Sequence, residues 1–81
     1  MRLIFLFFAT ANAVRMACNG GTAGNKGCED QGLHTYCCTD EFTAGFPTPR
    51  DVTVMTSDPN GNIFCAGDAP NGPTGKRYCA A

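Results

Sequence analysis

Cys18, Cys28, Cys37, Cys38, Cys65 and Cys79 are the residues of this chain with the widest chemical range. A cysteine can attack as a thiolate, ligate metal or oxidise to a disulfide, and the redox compartment decides which. The single histidine, His34, precedes Cys37 by three residues and Cys38 by four, which superficially resembles ligand spacing. Zinc needs reduced thiolates and commonly uses C-x-x-C pairs, which this chain lacks. A cysteine nucleophile needs a free thiol in the same way. Ser57 is the only serine and sits beside a turn sequence, not in the strand–turn–helix setting of a nucleophile elbow. Glu29-Asp30 and Asp40-Glu41 are adjacent carboxylates, but consecutive side chains diverge, whereas glycoside hydrolysis needs two converging on one bond. The expectation is no enzyme, no catalytic residue, no metal site and no cofactor.

The N-terminus indicates the compartment. Met1-Arg2 is a short charged start, and Leu3 to Ala9 (LIFLFFA) is an unbroken apolar run. Ala11-Asn12-Ala13 then places small residues at the two positions that a signal peptidase reads. The run is far shorter than the roughly 20 residues of a membrane-spanning helix. Residues 1–13 therefore read as a secretory signal peptide, and residues 14–81 as a single cysteine-rich domain, secreted and extracellular. A cut after Ala17 would instead make Cys18 the first residue. In an oxidising compartment, six cysteines imply three disulfides.

A domain this small rarely gains enough stability from a hydrophobic core alone. The 43% hydrophobic content overstates that core, because the leader supplies much of it. Large apolar residues are sparse after Val14, so the cystines are expected at the core's centre. Six basic residues face seven acidic ones, and losing Arg2 with the leader leaves the remainder more acidic. That balance argues against nucleic acid, whose binding needs a basic patch. It also argues against cationic membrane attack, so no stable membrane insertion is expected. The partner implied is an extracellular or host protein, met by a monomer.

Gly and Pro recur too often for long helices. Asn19 to Gly27 is a loop by composition, and Cys28 to Leu33 has room for one helical turn before Gly32. His34 to Thr39 reads as a strand of β-branched and aromatic residues. Asp40 to Arg50 is a connector carrying two prolines. Asp51 to Ser57 and Asn62 to Ala66 are strand-like, and Asp58-Pro59-Asn60-Gly61 between them is a turn. Together they predict a hairpin over residues 51–67. Gly67 to Gly75 is a second Gly/Pro-rich loop, and Lys76 to Ala80 returns as a last strand, with the dibasic Lys76-Arg77 as its charged start. The fold class is small, disulfide-rich and mainly β, with three to four short antiparallel strands and long Gly/Pro loops.

The cysteine intervals are C-x9-C-x8-CC-x26-C-x13-C. On a strand, Cys37 and Cys38 point to opposite faces and should bond to different partners. Six cysteines allow 15 connectivities, and spacing alone does not choose among them. The CC pair in third and fourth place resembles the order in cystine-knot miniproteins. That resemblance implies Cys18–Cys38, Cys28–Cys65 and Cys37–Cys79. With its signal, length, cysteine count and Gly/Asn-rich loops, the chain is similar to the small secreted cysteine-rich proteins of filamentous fungi, many of them regarded as effectors. This implies a non-enzymatic effector or toxin-like protein that binds an extracellular or host target.

Two places are candidate contact sites. Phe42 and Phe46 lie four residues apart in a connector where polar residues are expected. They either fold down into the scarce core, the expectation here, or form an exposed aromatic binding patch. With both buried, the functional surface falls on the Gly67 to Gly75 loop or on a surface the sequence does not mark. Thr48-Pro49-Arg50-Asp51 offers the alternative function, a serine-protease inhibitor presenting Arg50 from a reactive loop, where preorganisation would supply affinity.

Overall fold

The computed structural model describes residues 14–69 and 72–81; the signal-peptide assignment for residues 1–13 lies outside them. Five strands and one helical turn follow in the order β1 (Val14–Cys18), α1 (Gly27–Asp30), β2 (His34–Thr39), β3 (Thr48–Met55), β4 (Phe64–Ala66) and β5 (Thr74–Ala80). All pairings are antiparallel, in the order β2-β1-β3-β5-β4, and a further β2–β5 pairing closes the first four strands into a small barrel. Closure is partial: β4 pairs with β5 alone, and β1 meets β2 only at Ala17 and Cys18, so these strands keep free sides among the described residues.

The mainly β class stands, with one strand more than the sequence suggests. The added strand is β1, Val14–Cys18, which the sequence did not mark as one. β3 starts at Thr48, inside the expected connector, and runs through Pro49. Over Thr48–Asp51 its partner is β1 alone, the edge-like setting in which a proline is tolerated. The Gly/Pro segments are correspondingly shorter than expected: Thr43 and Phe46 form an isolated bridge within the connector, and β5 begins at Thr74. The helical turn forms as read, entered through Lys26 at φ 77° and left through Gly32 at φ 80°.

The turn at Asp58–Gly61 is present, but the 51–67 hairpin is not. β5 lies between β3 and β4, accepting from the Thr56 N–H through the Arg77 carbonyl and donating from the Arg77 N–H to Ile63. Residues 56–63 separate the two strands widely enough to admit a third. A local turn signal fixes the reversal of the chain and leaves open which strand fills the space. Asp58 builds the turn itself: its Oδ1 accepts from the N–H groups of Asn60 and Asn62 at 2.9 and 2.8 Å. The Asn62 amide, with that of Asn60 and the nearby Arg77 charge, holds the Asp58 carboxyl below its usual value despite some desolvation.

The bridges are Cys18–Cys38, Cys28–Cys79 and Cys37–Cys65. Cys18–Cys38 agrees with the knot-like order; the other two correct it. β-register supplies the reason. Cys18 stands directly opposite Cys38 on β1 and β2. On β5, however, Cys37 faces Arg77, while Cys79 faces Thr35, out of reach of Cys37 and open to Cys28. As their adjacency predicts, Cys37 and Cys38 serve opposite faces. Cys38 joins Cys18, Tyr36, Val52 and Ala80 inside the barrel, with Met16 and Tyr78 packed against them. Cys37 joins Ala17, Phe46 and Cys65 in a second cluster outside it.

Three disulfides in so small a protein are compatible with an oxidising environment. Among the described residues, no helix is long and apolar enough to cross a membrane.

Candidate binding surface

The two phenylalanines of the connector part company. Phe46 is fully buried, while Phe42 is 57% exposed. Phe46 fits because the chain around it is stripped to glycine: its ring lies against Gly67 and Gly75, and the Asp68 N–H donates to the Gly45 carbonyl beside it at 2.9 Å. The expectation that both rings enter the core therefore holds for Phe46 and fails for Phe42. Beyond Thr39 the chain has left the sheet, and the isolated Thr43–Phe46 bridge draws in the second ring of the pair.

Arg50 is not on a loop. It belongs to β3, opposite Met16 of β1, with its guanidinium 3.8 Å from the centroid of the Tyr36 ring. Its Nε donates to the Asn19 carbonyl at 3.4 Å. Such stacking is a cation–π contact that holds the side chain against the barrel. Asn19 organises the same end. Its buried Oδ1 accepts from the N–H groups of Gly21 and Cys37 at 2.9 and 3.0 Å, which explains how a polar side chain is tolerated there.

Arg77, half of the dibasic pair, is also structural. Its guanidinium donates to the carbonyls of Ala23, Asn62 and Phe64, tying the Asn19–Gly27 segment to the start of β4. Glu29 has a comparable role beside a shallow hollow with His34 and Tyr36. Its carboxylate accepts from the Thr35 N–H and hydroxyl, both at 3.1 Å. Its own backbone N–H, helped by Thr35 and by His34, holds its carboxyl below the usual value against a desolvation contribution of opposite sign. His34 is exposed and edge-on to Tyr36, 6.3 Å between ring centroids. Among the described residues, no three His, Cys, Asp or Glu side chains cluster as a metal site would require.

The surface that stands out lies at the barrel mouth. β1 outruns β2: it pairs with β3 along its whole length but with β2 only at Ala17 and Cys18. Where the strands part, the interior is open. A hollow of about 340 Å3 lies there, lined by Val14, Met16, Asp40, Val52, Met55 and Tyr78 among others. A neighbouring hollow of about 150 Å3 shares Met16, Asp40 and Tyr78 with it and extends to Phe64 and Lys76. Together they form one groove whose large apolar side chains Val14, Val54, Met55 and Phe64 stay about half exposed.

Of the sequence candidates, the Asp40-Glu41 pair touches this groove through Asp40, the dibasic pair through Lys76 and the Gly67–Gly75 loop through its end at Gly75, while Phe42 follows Asp40-Glu41 in the chain. Val14 and Met16 were legible as apolar positions, yet their alternation along a strand follows close on the apolar run Leu3–Ala9 and is hard to separate from it. Comparison with protein-family models, curated proteins and solved structures gave no match.

Proposed function

We propose that this chain is a secreted, non-enzymatic ligand of the effector or toxin type, which binds an extracellular or host protein through the groove at the barrel mouth. One observation carries this reading. The protein has few large apolar residues for its core, yet four of them line an open groove half exposed. Contiguous apolar surface of that kind is characteristic of interaction sites. A disulfide-held barrel presents such a surface from a fixed backbone, so the ordering cost on binding is confined mainly to its side chains. The three bridges suit an extracellular working place, and the similarity to fungal secreted cysteine-rich proteins points to the same biological class.

Inhibition through Arg50 would need that side chain to leave the Tyr36 ring and the Asn19 carbonyl, and no loop presents it. The groove reading is preferred for that reason. Its test is the double variant Val54→Asp/Met55→Asp in the oxidised protein, applied to extracts or tissue of candidate hosts. Both positions are half exposed, so folding should be retained while target binding is lost. Undiminished target binding by the folded double variant would refute the groove as the contact surface.

A further inference from the structure

We propose that the groove takes an extended peptide segment in which a lysine or arginine is flanked, two residues to either side, by apolar side chains. This rests on the binding reading above and adds the chemistry of the partner.

The backbone argument comes from β1. Its Val14–Met16 half has β3 on one side and, among the described residues, no strand on the other, because β2 ends at Thr39. A strand flanked on one side only is the template for β-augmentation, in which an extended peptide adds to the free side through main-chain hydrogen bonds. In an added strand every second side chain faces the groove. The groove offers these positions apolar contact with Val14, Met16, Met55, Tyr78 and Phe64.

The charge argument comes from Asp40. Three charged side chains line the two hollows, and two of them have partners within the chain. Arg15 pairs with Asp51 at 3.4 Å, and the Lys76 Nζ stands 5.9 Å from the Phe64 ring centroid. Asp40, which borders both hollows, has no cation within ion-pair distance among the described residues. Asp40 is exposed in the free protein, so a peptide cation delivered there by apolar neighbours would meet a carboxylate that the bound peptide itself partly desolvates, raising the attraction above its value in water. An acidic side chain would meet repulsion at Asp40, while Lys76 at the Phe64 end keeps its charge and favours the opposite sign there, so selection by charge is local to the position that faces Asp40.

The test uses a phage-displayed random dodecapeptide library, panned against the secreted, oxidised protein and in parallel against Asp40→Lys. The wild type should enrich sequences with Lys or Arg flanked at both second neighbours by Val, Ile, Leu, Met or aromatic residues. Asp40→Lys should bind those peptides at least tenfold more weakly and enrich Asp or Glu at the central position. Titrating a selected peptide into the 15N-labelled protein should move the amide resonances of Arg15, Met16 and Asp40. The proposal is overturned by no enrichment above the unselected library, by the same peptides emerging on Asp40→Lys, or by shifts confined to other surfaces. Preferential binding to phosphatidylserine vesicles over any selected peptide would overturn it in favour of a membrane partner. If Val54→Asp/Met55→Asp abolishes target binding while these outcomes go against the peptide, the groove survives and only the partner's chemistry is wrong.

Discussion

The ring of Phe46 and the α-carbon of Gly67 approach so closely that a Cβ on Gly67 would stand 2.8 Å from two ring carbons. It would also meet the Gly45 carbonyl at 2.9 Å, and neither neighbour has room to give. Gly67→Ala should therefore destabilise the oxidised protein by about 1–3 kcal/mol, as overpacked cores do. Gly20→Ala, whose added Cβ would meet only the Asp68 carboxylate at 3.7 Å, is the control and should be close to neutral. Urea denaturation of both variants makes the comparison.

Phe42 and Phe46 should respond differently to the same change. Phe46→Ala removes a fully buried ring and should cost about 3–5 kcal/mol. Phe42→Ala removes an exposed one and should stay within about 0.5 kcal/mol of the parent. Thermal midpoints measured side by side would show it, and equal losses would contradict the placement of Phe42.

Arg50→Ala should cost about 1 kcal/mol, through loss of its stacking on Tyr36. Because the guanidinium is engaged there, the unaltered protein should not inhibit trypsin. Stoichiometric inhibition in a trypsin titration, abolished by Arg50→Ala, would restore the inhibitor reading.

The Asp58 turn predicts a pH dependence with a definite sign. The folded carboxyl lies below its unfolded value, so its contribution is complete above the unfolded pKa, near 3.8. It is lost as pH falls through the lower folded value. Asp58→Asn keeps an oxygen to accept from Asn60 and Asn62 but does not titrate. Stability measured from pH 6 down to 2 should fall more steeply for the parent than for the variant in the acid range. Parallel curves would refute this role.

Cys65→Ser should remove one bridge and leave Cys37 unpaired inside the second cluster. The cost of about 2–5 kcal/mol is comparable to the whole stability of a small domain. A low yield of folded protein and a melted circular-dichroism spectrum are expected; a native-like thermal midpoint would contradict it.

What the sequence revealed was local chemistry. The helical turn before Gly32, the Asp58–Gly61 turn and the divergence of Cys37 from Cys38 each depend on a few neighbouring residues. What it concealed depends on register between distant strands. Whether β5 or β4 lies beside β3, and whether Cys79 meets Cys37 or Cys28, is fixed by how β2 aligns with β5. The groove was hidden for a related reason. Its residues come from β1, the end of β2 with Asp40, β3, β5 and the edge of β4, and in the sequence β1 follows close on the apolar run Leu3–Ala9. The fate of Phe42 and Phe46 turned on Gly67 and Gly75, more than twenty residues away, whose lack of a side chain reads only as loop composition.

The adjacent cysteines of β2 also make alignment and oxidation a single decision. Sliding β2 by one residue would send the Cys37 sulfur into the barrel and the Cys38 sulfur out of it, inverting both partnerships at once. Such a molecule could still carry three bridges and have the same mass as the native one. It would, however, have exchanged the contents of its two apolar clusters. The doublet thus acts as a register mark: in the native alignment Cys38 serves the barrel and Cys37 the second cluster, and a slip of one residue reverses both.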